Sequence, residues 1–136
     1  MKPRFMMDTD ICIYLKKRRP PEIVKKFSQL RHGEVVISLI TFGELHNGAL
    51  KSREPRAALV NIQRLADRLP VQPMSTGVAK HYGSIRAHLE SRGQTIGGND
   101  LWIAAHALEL DLTLVSNNIR EFSRIPSLRV ENWVNG

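Results

Sequence analysis

Five short runs set the limits on what this chain can fold into. Arg4–Met7, Glu34–Ser38, Val71–Gln72 held between Pro70 and Pro73, Leu112–Val115 and a run near Leu128–Glu131 all have strand length and strand composition. The second is a continuous β-branched stretch, the pattern of a strand covered on both faces in a parallel sheet. Between the runs lie segments with helical spacing. Asp10 reads as the N-cap of a first helix beginning Ile11-Cys12-Ile13-Tyr14-Leu15. Pro21 opens a second helix, to about Leu30, with Ile23, Phe27 and Leu30 on one side. Thr41 reads as the cap of a third, with Glu44 at the capping-box position. Further helices are predicted over Pro55–Leu69 and over Thr76–Arg92, the latter ended by Gly93. Two more follow, one headed by Asp100 and a short one over Ile119–Phe122. Strands alternating with helices predict a three-layer α/β/α sandwich around a short-stranded, mainly parallel sheet, with every strand's C-terminal end on one rim. With no repeat or linker in 136 residues, the chain reads as a single domain over 1–136.

That rim is where ligands bind in open α/β sheets, which gives weight to the acids that reach it. The first run ends in Asp8, with Asp10 two residues on; Glu44 and Asp100 stand at helix starts, and Ser116 and Asn118 follow the fourth run. Separate helix caps have no reason to converge, whereas an active site does. Asp8, Glu44 and Asp100 brought together, with no cysteine or paired histidine beside them, form a hard oxygen set suited to Mg²⁺ or Mn²⁺ rather than zinc. Such a site supports metal-assisted attack on a phosphodiester.

The charge balance points the same way. Twenty Lys and Arg against 13 Asp and Glu leave a net charge of +7, which favours an anionic partner, nucleic acid first. Lys16-Lys17-Arg18-Arg19, Lys25-Lys26, Arg31, Arg53, Arg56, Arg64 and Arg68 would hold a phosphate backbone against the acidic centre. The single cysteine, Cys12, excludes an internal disulfide and fits a reduced setting. No leader pattern and no run of membrane-spanning length is present, so a cytoplasmic protein is expected.

Four stretches together carry a resemblance. Phe5-Met6-Met7-Asp8-Thr9-Asp10, Ser38-Leu39-Ile40-Thr41-Phe42-Gly43-Glu44-Leu45 with Gly48, Ile96-Gly97-Gly98-Asn99-Asp100-Leu101-Trp102-Ile103-Ala104, and Ser116-Asn117-Asn118 with Glu121-Phe122 occur in the order seen in PIN-domain ribonucleases. The chain resembles in particular the VapC toxins of bacterial toxin–antitoxin pairs. The resemblance implies a Mg²⁺-dependent endoribonuclease in which Asp8, Glu44 and Asp100 bind metal and Ser116 supports the site. It also implies RNA as substrate, with tRNA and specifically the anticodon region of initiator tRNA as the first expectation, and arrest of translation as the outcome. A homodimer and a VapB-type antitoxin partner are implied as well. Two positions depart from the family pattern. Asp10 stands where Asn is frequent, and the neutral Asn118 occupies the place of a fourth acid, with Glu121 offset from it. The expectation is therefore one strongly held metal.

Other residues are assigned to packing. His32, His81, His88 and His106 show no ligand spacing, while His46, on the helix of Glu44, is placed to touch RNA. Trp102 is expected to pack beneath the site, Trp133 to anchor the terminus, and Tyr14 and Phe42 to belong to a dimer or antitoxin surface. Two other readings stand beside the nuclease. Asp8-Thr9-Asp10 imitates the opening of a haloacid-dehalogenase-like phosphatase, although no adjacent acidic pair follows. A non-catalytic basic RNA-binding regulatory module would use the same acids only as caps.

Overall fold

The structure, a computed structural model, describes residues 2–134. Strands β1 (Phe5–Met7), β2 (Val35–Ser38), β3 (Val71–Gln72), β4 (Thr113–Val115) and β5 (Val130–Glu131) form one sheet in the order β3-β2-β1-β4-β5. Every pairing is parallel, with Phe5 opposite both Val35 and Thr113. The connecting helices are α1 (Thr9–Lys17), α2 (Pro21–Ser28), α3 (Leu39–Leu50), α4 (Pro55–Arg68), α5 (Thr76–Ser91), α6 (Gly98–Glu109) and α7 (Ile119–Phe122). The expected α/β/α sandwich is the observed fold.

Alternation along the strands divides the core in two. Phe5, Met7, Val35, Ile37 and Val115 face one side, where they pack with Ile11, Leu15, Ile23, Leu45, Ile62 and Leu65 of α1–α4. Met6, Val36 and Leu114 face the other, against Val78, Ile85, Leu89, Leu101, Ile103 and Phe122 of α5–α7. β1 is thus buried on both faces, and no helix among the described residues is long and apolar enough to cross a membrane. Cys12 is fully buried, as its apolar setting suggested. Trp133 does anchor the end of the chain, meeting Phe5 edge-on with ring centroids 5.2 Å apart.

The strand order reverses at β1. The chain steps outward from β1 to β2 and β3, then returns through α5 and α6 to β4 on the opposite flank. That reversal opens a crevice at the C-terminal ends of β1 and β4.

Local caps differ from expectation at three helices. Asp8, not Asp10, is the N-cap of α1, accepting from the Ile11 amide at 3.0 Å. The strand ends one residue before Asp8, so only Asp8 retains the extended backbone that a cap requires. Asp10 lies exposed in the first helical turn. Ser38, not Thr41, caps α3, its hydroxyl oxygen accepting from Ile40 N at 3.1 Å; the helix begins directly at the strand end and Thr41 is buried within it. Gly97, rather than Asp100, precedes α6, which leaves Asp100 in its first turn.

One buried polar group ties these layers together. His106 of α6 lies between the hydroxyl of Ser38, 2.8 Å from Nδ1, and the carbonyl of Pro73, 3.1 Å from Nε2. Only Nε2–H can donate to a carbonyl, so Nδ1 accepts from Ser38. Burial lowers the pKa of this imidazole, which favours its neutral form. The substitution His106→Leu leaves the Ser38 hydroxyl hydrogen without an acceptor and the Pro73 carbonyl without its donor, and should cost about 2 kcal/mol of stability, seen as a lower urea midpoint at unchanged slope.

Candidate active site

Four carboxylates converge where β1 and β4 end. Asp8 enters from the tip of β1 and is almost fully buried, with 5% of its surface exposed. It is held from two sides, by the Ile11 amide and by the hydroxyl of Ser116 just past β4. Ser116 is free to donate because its oxygen takes the Asn118 amide as its own donor, at 3.0 Å. Glu44 reaches in from α3. The Thr9 hydroxyl donates to its Oε1 at 2.5 Å and the Asn99 amide to its Oε2 at 3.2 Å, so both oxygens are aimed by neighbours on α1 and α6. Asp100 comes from the first turn of α6.

The fourth acid is Glu121, on α7. The sequence treats it as offset, yet its carboxylate lies close enough to that of Asp100 to be the strongest charge acting on it. It also accepts from Gly97 N at 3.2 Å and from the side-chain amide of Asn118. Asn118 itself precedes α7, and Glu121 lies nearly one turn on, which returns its carboxylate toward the loop where Asn118 sits. The sequence signal that could have found it is this spacing of three across a helix start.

The electrostatics are those of a negative pocket without a countercharge. Burial pushes the Asp8 carboxyl up to about 6, against the lowering pull of Ser116 and Ile11, and the charges of Asp10 and Glu44 add to the rise. Asp100 is pushed up to about 7, by burial first and then by the charge of Glu121, with Asp8 and Glu44 contributing. Among the described residues, none of the four acids is in an ion pair with Lys, Arg or His.

The donor set fits a hard divalent cation by its chemistry: oxygen only, net negative, with no sulfur or imidazole among the converging side chains. The cage is not preformed, because no group of three such acids among the described residues already stands at metal-holding distance. Glu44 and Glu121 are each held by hydrogen-bond donors, and because every carboxylate oxygen has a second lone pair they can keep those donors while drawing together on an ion.

The other singled-out residues fall around this pocket. Asp10 acts on it only through its charge. Trp102 stacks on Tyr82 at 3.9 Å between α5 and α6, a packing role. Tyr14 accepts from Asn117 at 3.2 Å, and His46 is exposed beside Phe42.

An acid whose folded-state pKa lies above its unfolded value stabilises the protein at low pH and loses that contribution as pH rises through the folded value. Relative to Asp8→Asn, metal-free wild type should therefore lose on the order of 2 kcal/mol of stability between pH 4 and pH 7, read from denaturation at both pH values.

Comparison with known proteins agrees with this geometry. The PIN domain family model matches residues 5–128. The chain is 46% identical over 131 residues to Ribonuclease VapC2 of Haemophilus influenzae, covering 96% of this chain and 98% of that protein. It is 42% identical over 130 residues to the tRNA(fMet)-specific endonuclease VapC of Salmonella typhimurium, covering 96% and 98%. The solved structure of VapBC-1 from nontypeable Haemophilus influenzae superposes with a TM-score of 0.89 at 40% identity, covering 98% of each chain. With the motifs in order, the four acids gathered at the β1–β4 crevice and near full-length relatives above 40% identity, this chain belongs to the PIN-domain family, among its VapC proteins.

Proposed function

We propose that the protein is a Mg²⁺-dependent endoribonuclease toxin that cuts tRNA, initiator tRNA first, and so stops translation. The observation that carries this reading is the convergence of Asp8, Glu44, Asp100 and Glu121 at one crevice with no basic partner among the described residues, an excess of negative charge suited to a bound cation. The name of the Salmonella typhimurium relative supports the choice of substrate.

In this reading Asp8, Asp100 and Glu44 hold the ion, with Glu121 as a fourth donor that restores room for a second. Mg²⁺ bound there supplies activation of water and neutralisation of charge on a phosphodiester. The protein's own share is orientation. Ser116 and the Ile11 amide fix Asp8, Thr9 and Asn99 fix the two oxygens of Glu44, and Asn118 with Gly97 fixes Glu121. Mn²⁺ would satisfy the same donors.

The partner assigned on this reading is a VapB-type antitoxin, in keeping with the solved VapBC relatives. A homodimer is part of the same proposal, for which Leu39, Leu50 and Val60, exposed on α3 and α4, offer apolar surface. The phosphatase reading has less to rest on, since the groups acting on Asp8 are acids and hydrogen-bond donors, none of them basic.

Sequencing of RNA ends after expression in cells tests the proposal. Wild type should produce new tRNA ends and growth arrest, and Asp8→Ala or Asp100→Asn should lower cleavage by at least ~100-fold, beyond the roughly 10–100-fold typical of outer-shell changes. Chelation should abolish activity and added Mg²⁺ restore it. A non-catalytic binder would keep its effect with Asp100→Asn. Asn99→Ala, which frees one oxygen of Glu44, should cost about tenfold in cleavage rate and leave the melting temperature nearly unchanged.

A further inference from the structure

A second charged feature lies away from the acids. Leu15 of α1 and Leu65 of α4, both buried, floor a cleft of about 290 Å³ that opens to solvent. Its polar lining is Lys16 and Arg18 from the end of α1 and Asn61, Arg64 and Arg68 from α4, all exposed. Among the described residues no acid lines it and none of these four cations is in an ion pair, while Arg68 also rests over the Phe27 ring at 4.9 Å. Bases at helix C-termini complement the helix dipole, which accounts for Lys16 and Arg68. It does not account for Arg64 and Asn61, one and two turns earlier, or for two helices presenting their bases to one concavity.

We propose that this cleft is a second phosphate-binding subsite, holding part of a folded RNA remote from the bond that is cut; the inference rests on the nuclease reading above. Four converging cations with an amide among them suit phosphate oxygens, and guanidinium forks favour bidentate phosphate contacts. The position sets the kind of RNA. Asp8 caps the start of α1 and Lys16 lies near its end, so nine helical residues put the cleft roughly 13 Å from the acidic crevice. A phosphate held there belongs to a nucleotide several positions from the scissile one or to another strand of a folded molecule. A single strand that ends beside the cut bond engages the crevice alone, whereas a longer, folded RNA spans both.

The test uses the full-length protein with two substrates, an initiator tRNA transcript and a short single-stranded oligoribonucleotide containing the same cut site. For Lys16→Gln/Arg64→Gln, with one change on each wall, the KM for the transcript should rise about tenfold with kcat within about twofold, and the salt dependence of kcat/KM should flatten by up to about one logarithmic slope unit per lost contact. The preference for transcript over oligonucleotide should fall in proportion. An unchanged KM and salt slope would overturn the inference, as would an equal loss on both substrates. Unchanged RNA kinetics with lost affinity for the antitoxin would also overturn it, and would assign the cleft to an acidic peptide. If wild type cuts neither RNA, the nuclease reading fails separately; transcript binding by filter retention, compared between wild type and variant, then still decides the cleft. Should the double variant fold poorly, Arg64→Gln alone serves.

Discussion

A carboxylate buried at the end of the central strand is the constraint around which this protein is arranged. Asp8 closes β1, caps α1 and takes a hydroxyl from the far side of the crevice, so one side chain joins the strand, the following helix and the loop after β4. Burying an acid in this way is unfavourable, and the crowding of Asp10 and Glu44 makes it more so. A fold organised for stability alone would place a base there or no charge at all. The strain is local to the rim, and the two apolar cores on either side of the sheet carry it.

The same logic explains the polar side chains that surround the acids. Thr9, Asn99, Ser116, Asn118 and the Gly97 amide each donate to a carboxylate, and they come from three separate stretches, the start of α1, the start of α6 and the loop after β4. They offset part of the cost of bringing four acids together and hold the carboxylates in set directions. His106 works one layer deeper. By joining Ser38, the cap of the helix that bears Glu44, to the helix that bears Asp100, it fixes the spacing of two of the four acids without approaching them. Charge is segregated across the molecule as well. The acids occupy the end of the sheet where α1 begins, and a concentration of bases occupies the cleft where α1 ends. A polyanion attracted by the bases is kept from the crevice unless the acids are neutralised, a division suited to a site completed by a cation.

Much of the architecture was legible from periodicity. Apolar runs too short for helices, Pro21 and Pro55 at helix starts and Gly93 at a helix end, where its φ is +63°, left little freedom in element type or order. Parallel pairing followed from strands apolar on both faces. Asp8, Glu44 and Asp100 were recognisable because acids recurred where strands end and helices begin. Cap positions were not legible to the residue. Asp8 and Asp10 are both good capping residues, as are Ser38 and Thr41, and only the point where each strand stops pairing decides between them.

What the sequence by itself determined is the alternation of strand and helix, the double-sided burial of β1 and the delivery of three acids to one rim, because these depend on local pattern and on the fixed handedness of crossovers. Tertiary structure alone decided that Glu121 faces Asp100, that Ser38 and Pro73 share one imidazole, and that Lys16 and Arg64 line the same cleft. Those are meetings between segments distant in the chain, governed by how helices pack on the sheet. Residue type and spacing carry no record of such packing angles.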